Sequence, residues 1–357
     1  MRPLVTATAF AAAALTSLVL ALAAAGAPPT PNLYTAHNLV SDQPGVADHV
    51  DAHLVNAWGL TSLATSPWWV ADNGTDVSTL YAADGTAFPP PPAPMPLVVS
   101  VMNAPTGVVG NAGTGFTVGG APARFIFSTE EGKILAWNSS LGTQAQVVAD
   151  RDLGAIYKGL AIGGGRLYAT DFHNGPNGRI DVFDSNFDYV PLPGGFVDSA
   201  IPAGFAPFGI QEIGGNIFVT YAKQDAARED DVHHQGFGFV DEYDANGVLL
   251  RRIATRGQLN APWGLALAPS NFGRFSGDLL VGNFGDGEIN AYAPQSDGTY
   301  ERVGDLRGAN HKPILIDGLW ALQFGHGAAN NGPTNTLFFT AGPDDESHGL
   351  FGKITTG

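Results

Sequence analysis

A unit of three short apolar runs, recurring about every 48 to 57 residues, constrains this chain more than any other feature, because such a period is the mark of a propeller or another array. The unit is clearest from Asn260 to Tyr292, where Gly, Asn and Asp turn signals separate runs of strand length and Ile289 and Ala291 alternate with Glu288 and Asn290. Its opening recurs at Asn56–Leu60, Asn103–Val108, Lys158–Leu160, Ala206–Ile210, Ala261–Leu265 and Leu319–Leu322. A second run follows each opening in register: Trp68–Ala71, Phe125–Ser128, Leu167–Thr170, Ile217–Thr220, Leu279–Gly282 and Leu337–Thr340. These six copies predict an all-β, six-bladed β-propeller of four-stranded antiparallel blades.

A fourth, outer strand is predicted after five of the units, at Leu97–Val101, Ala145–Val148, Asp188–Leu192, Val248–Ile253 and Tyr300–Leu306. The sixth unit has none before Gly357, and an open edge of unpaired backbone groups is a liability. The segment 33–40, ahead of the first unit, is the expected donor of the missing strand and would close the ring.

Residues 1–25 read as a secretory signal: Arg2, then an Ala/Leu/Val run, then small residues before Pro28. The alternative is an uncleaved anchor, and no other run approaches membrane length. Residues 26–357 are then one domain, expected outside the cell or in the periplasm as a monomer. The absence of cysteine excludes thiol chemistry and thiolate metal sites. A formal charge of -16 with no basic cluster argues against nucleic acid as a partner. Two segments break the period: the proline run Phe88–Pro96, expected as a polyproline II connector, and the polar insertion Gln224–Gln235, a candidate lid or binding loop.

In a propeller, residues just before each opening and just after each second run meet around one mouth of the channel. Seven of the nine histidines fall on that face, with many carboxylates. Imidazole and carboxylate can hold a divalent ion, calcium or zinc, and can move protons near neutral pH. His49, Asp51 and His53 would point the same way in an extended segment, so two imidazoles and a carboxylate could face one metal, or the segment is a solvated loop. Glu130, His173 and Asn283 are further candidate ligands, and Asp171 with His173 the candidate catalytic pair; the structural alternative for Asp171 is a turn. His53, Asn56, Lys158, Tyr221, Asn260 and Asp317 are candidate binding residues. Trp58, Phe208, Trp263 and Trp320, at equivalent places, are expected as packing between blades.

The segments Asn38–Asp42, Asn56–Leu60, Trp69–Gly74 and Asn260–Ala266 resemble a largely uncharacterised family of secreted bacterial propellers, some with a C-terminal PEP sorting signal, and more broadly NHL-type propellers. The chain ends at Ile354-Thr355-Thr356-Gly357 without that signal. The resemblance implies the fold and an export route but supplies no catalytic residues. Two functions remain: a channel face that binds a small molecule, glycan or protein, or a metal-dependent hydrolase or lyase similar to gluconolactonase-like propellers.

Overall fold

The computed structural model describes residues 31–90, 95–151 and 154–357; the signal segment lies outside the described residues, as do positions 91–94 of the proline run. Six antiparallel sheets stand around one axis. Their innermost strands are Ala57–Thr61, Pro105–Gly110, Tyr157–Gly163, Phe205–Ile213, Pro262–Leu267 and Leu319–Phe324, each lying against the next around the ring. The strand Tyr34–Ser41 pairs antiparallel with Leu350–Thr356 and completes the last blade, as the open edge required. The Tyr34 hydroxyl donates to Phe272 O at 2.9 Å, fastening that strand to blade 5 as well.

Blade 3 differs from expectation at its outer edge. Its sheet holds three strands, and the fourth is reduced to a bridge between Phe183 and Tyr189. Pro191 and Pro193 follow at once, and proline cannot donate to a ladder.

Every inner strand carries one extra residue against its neighbour, at the same place in all six blades: Ala57 pairs with Asp72 and Leu60 with Val70, and the shift recurs at Tyr157/Leu160, Pro207/Ile210 and Leu319/Leu322. Blades 2 and 5 shift at the matching positions. A bulge of this kind re-aims side chains. The glycine in it has a second cause. A Cβ on Gly59 would lie 2.5 Å from Thr106 O, on Gly159 2.8 Å from Phe208 O and on Gly264 2.5 Å from Trp320 O. Each blade-opening glycine therefore lets its inner strand touch the backbone of the next. Blade 6 carries Ala321 instead.

Candidate functional site

The residue before each of these glycines, or before Ala321, is turned inward by the bulge, and the set reads Trp58, Thr106, Lys158, Phe208, Trp263 and Trp320. Side chains from non-adjacent blades meet there, which can happen only on the axis. Trp58 stacks on Trp320 with centroids 3.8 Å apart, Phe284 stacks on its other side at 4.1 Å, and Phe208 and Trp263 each approach Trp320 at 5.8 Å. The expected aromatic packing is thus an axial plug. Blade 3 puts a cation into this ring, with the Lys158 ammonium 5.2 Å from the Trp58 ring centre.

Lys158 is only 2 % exposed. Its Nζ donates to Glu130 Oε1 at 2.5 Å and to Asp230 Oδ1 at 3.0 Å. Burial by itself would depress the ammonium pKa, but Glu130 and Asp230 together outweigh it and hold the pKa above the ordinary lysine value. Its carbonyl accepts from Trp263 Nε1 at 2.9 Å. Asp230 belongs to the Gln224–Gln235 insertion, which folds back on itself through a bridge between Gln224 and Asp231 and reaches Gly175 O through Arg228. The insertion covers the mouth, while Asp230 itself stays largely in solvent.

A chain of amides leads away from Lys158. Asn73 donates to Glu130 Oε2 at 3.0 Å, and Asn56 donates to Asn73 Oδ1 at 3.2 Å and to Glu346 Oε2 at 2.5 Å. Trp320 Nε1 donates to Asn56 Oδ1, so the plug and the polar layer share one residue. Burial pushes the Glu346 carboxyl above its usual range; Asn56 and Lys158 oppose this, and Glu130 and Asp231 reinforce it. His233 lies edge-on to Phe284 with Asp231 Oδ2 3.7 Å from its Nδ1, and that carboxylate raises its pKa. The mouth therefore has an aromatic floor, a buried ammonium, a carboxyl whose pKa burial raises and amides fixed between them.

The other nominated residues take separate places. Asp171 is fully buried and its oxygens hold a turn, accepting from the amides of Ile156, His173 and Asn174 and pairing with Arg179 at 3.1 Å. His173 lines an open cleft of about 470 Å³ with Glu130 and Glu229, and its Nδ1 is buried with no hydrogen-bond partner among the described residues. Asn283 spends its amide on Gln258 O and Asp286, and Asn260 also binds Asp286. Tyr221 is bonded to the Tyr243 hydroxyl inside the sheet, and Asp317 accepts from the Asp344 amide. At the outer edge of blade 6, Asp51 accepts from His53 and Tyr81, while the His49 ring lies beside Gly85. The alternation that would align His49, Asp51 and His53 fails because only His49 and Val50 are extended.

The residues nominated for a divalent ion do not fit one as a set. Among the described residues no three His, Asp or Glu side chains are grouped to hold a cation. On the axis the Lys158 ammonium stands between the carboxylates instead. Asp230 was missed by sequence reasoning, although the polar insertion that carries it was recognisable, and Glu346 was not among the nominated residues.

No family model matches the chain. Two uncharacterised proteins of Acanthamoeba polyphaga mimivirus do: one is 32% identical over 328 residues, covering 88% of this chain and 78% of its own, and the other is 31% identical over 336 residues, covering 88% and 84%. These relatives are viral, so the expected bacterial origin finds no support in them. Among solved structures, a streptogramin B lyase is similar at 12% identity, covering 91% of this chain and 97% of its own with a TM-score of 0.49. A protein proposed to be a gluconolactonase is similar at 17% identity over 65% and 84%, with a TM-score of 0.43. The chain belongs to the family of these uncharacterised mimivirus proteins.

Proposed function

We propose that this propeller is an exported binding protein that takes a small, polyhydroxylated molecule, a sugar or the end of a glycan, at the channel mouth around Lys158. The observation that carries it is a buried ammonium substituted into an otherwise aromatic and threonine ring, with Glu130 and Asp230 on it. Aromatic faces below and a mixture of donors and acceptors above suit a ring with an apolar face and hydroxyl edges. Asp230 is the displaceable group: it is 75% exposed while the lysine it caps is not, so moving the insertion opens Lys158 without unfolding a blade. The apolar run at the N-terminus supports export.

The test is a thermal-shift panel of neutral sugars, sugar acids and sugar lactones against the wild type and Lys158→Met. The expected result is a rise in melting temperature by linkage, lost in the variant. No hit, or hits indifferent to Lys158→Met, would overturn the proposal. Running the panel with and without chelator tests the divalent-ion alternative, for which a chelator-sensitive melt is the signature.

One pair of groups favours hydrolysis as a second reading. A buried ammonium can polarise a carbonyl, and Glu346, whose carboxyl burial pushes above its usual range, is the group placed to donate to a leaving oxygen. Turnover of a lactone from the same panel, lost in Glu346→Gln, would establish it.

A further inference from the structure

The open space on the axis lies at the other end of the channel. Two residues beyond the plug a ring of branched aliphatics, Leu60, Val108, Leu160, Ile210, Leu265 and Leu322, narrows the axis to a neck of about 20 Å³. Past it, where the inner strands end, the channel widens into a cavity of about 160 Å³ lined by Thr61, Ser62, Gln211, Glu212 and Gln323. A hollow of about 220 Å³ shares Gln211 and Gln323 with it.

Apart from Glu212, the polar groups here are uncharged. Ser62 is 6% exposed, and its hydroxyl is buried with no hydrogen-bond partner among the described residues. The hydroxyl of Thr61 and the amides of the half-buried Gln211 and Gln323 also line the cavity and make no side-chain hydrogen bond among the described residues. Glu212, the carboxylate on the wall, is turned to the Gly215 amide at 2.6 Å. A buried polar atom left unmatched costs about 1–3 kcal/mol, so the Ser62 hydroxyl, with Thr61, Gln211 and Gln323 opening on the same cavity, implies an occupant that supplies donors and acceptors. A cavity of about 150 Å³ admits a molecule the size of benzene.

We propose that this second mouth is a binding site for a small uncharged molecule, with hydroxyl or amide groups at one end and a short apolar end seated on the aliphatic neck. Neutrality follows from the wall: an anion would meet the Glu212 carboxylate, a cation would compete with the Gly215 amide that Glu212 already holds, and Ser, Thr and Gln bring no charge to replace an ion's water. The site is independent of Lys158, from which the aromatic plug separates it.

The experiment is saturation-transfer NMR on the mature protein with 1,2-butanediol and butyramide, against butyrate and butylammonium as charged analogues of similar size. The expected result is transfer to the two neutral probes with the alkyl protons most strongly saturated, at least fivefold weaker transfer to the charged pair, and loss of the neutral signal in a Gln211→Leu, Gln323→Leu double variant. Ser62→Ala, which removes only the orphaned hydroxyl, serves as the second variant should the double variant fail to fold, and lowers the neutral signal while keeping the wild-type melt. Lys158→Met leaves the signal intact. No transfer, equal transfer to charged probes, or signals unchanged in the folded variants would mean that the cavity holds water only, and would overturn the proposal.

Discussion

Replacing Gly264 by alanine tests the claim that backbone contact between inner strands fixes the glycine of each blade opening. The backbone there is compatible with alanine, so conformational strain plays no part and the cost is steric. The new Cβ would sit 2.5 Å from Trp320 O and 2.9 Å from Leu322 Cγ. Ordinary contact needs about 3.5 Å, so the inner strands of blades 5 and 6 would have to part by about 1 Å, and they are the strands that place Trp263 and Trp320 on the axis. Overpacking of this kind costs about 1–3 kcal/mol, while alanine recovers about 0.5–1 kcal/mol of the entropy that a strand glycine loses on folding. The expected net loss is about 1–2 kcal/mol, read from equilibrium urea unfolding. Gly113→Ala is the control: its Cβ meets only Asn111 Oδ1, at 3.2 Å on the surface, and the change should lie within about 0.5 kcal/mol of zero. Ala321→Gly runs in the opposite direction at the same register and should also destabilise, by about 1 kcal/mol, because it removes a buried methyl and adds chain freedom. A Gly264→Ala protein as stable as the Gly113→Ala control would refute the close-approach explanation.

At Lys158 the ion pairs should behave asymmetrically. Glu130→Gln with Asp230→Asn leaves a buried ammonium unpaired and should cost about 3–5 kcal/mol in urea unfolding, whereas adding Lys158→Met to that pair should restore most of it. Tyr34→Phe removes the hydroxyl that donates to Phe272 O and accepts from the Phe275 amide; a loss of about 1–3 kcal/mol is expected, and none would mean that closure does not depend on this fastening. Glu346 sets a pH slope. Its native carboxyl keeps a proton that the unfolded chain has already released, so stability should fall as pH rises from the ordinary glutamate value to the raised native one, then level off. Glu346→Gln should flatten that part of the stability curve and be the more stable form at neutral pH, and an unchanged slope would assign it to another group.

The fold was legible because its cause is periodic. Each blade must alternate strand and turn at a nearly constant spacing, and the unsatisfied last edge pointed to the segment 33–40, where the strand Tyr34–Ser41 lies. The outer strand of blade 3 was not legible from its apolar pattern, since hydropathy takes no account of the amide hydrogens that Pro191 and Pro193 lack. The candidate site was legible only as a face. Position in the repeat placed Asn56, Glu130 and Lys158 near the mouth, but it could not separate them from Asp171 and Asn283, which end their second strands, or from Tyr221 within one; Asp171 holds a turn, Asn283 binds Asp286 and Tyr221 bonds to Tyr243. That distinction depends on the bulge, one extra residue that turns the neighbour of each opening glycine toward the axis.

The bulge also explains why lysine can stand where tryptophan stands in other blades. A side chain aimed at the axis from a regular strand would need a partner within its own blade, but the bulge delivers the Lys158 ammonium past its own sheet to Glu130 of blade 2 and Asp230 of blade 4. Its partners therefore come from two neighbours, one held by the amides of Asn73 and Asn56 and one carried on an exposed insertion. Displacing the second leaves the first in place, so the ammonium can exchange a carboxylate for a ligand oxygen while remaining paired. A rigid ion pair on the same axis would only brace the plug; one fixed and one exposed partner make it a site that can open.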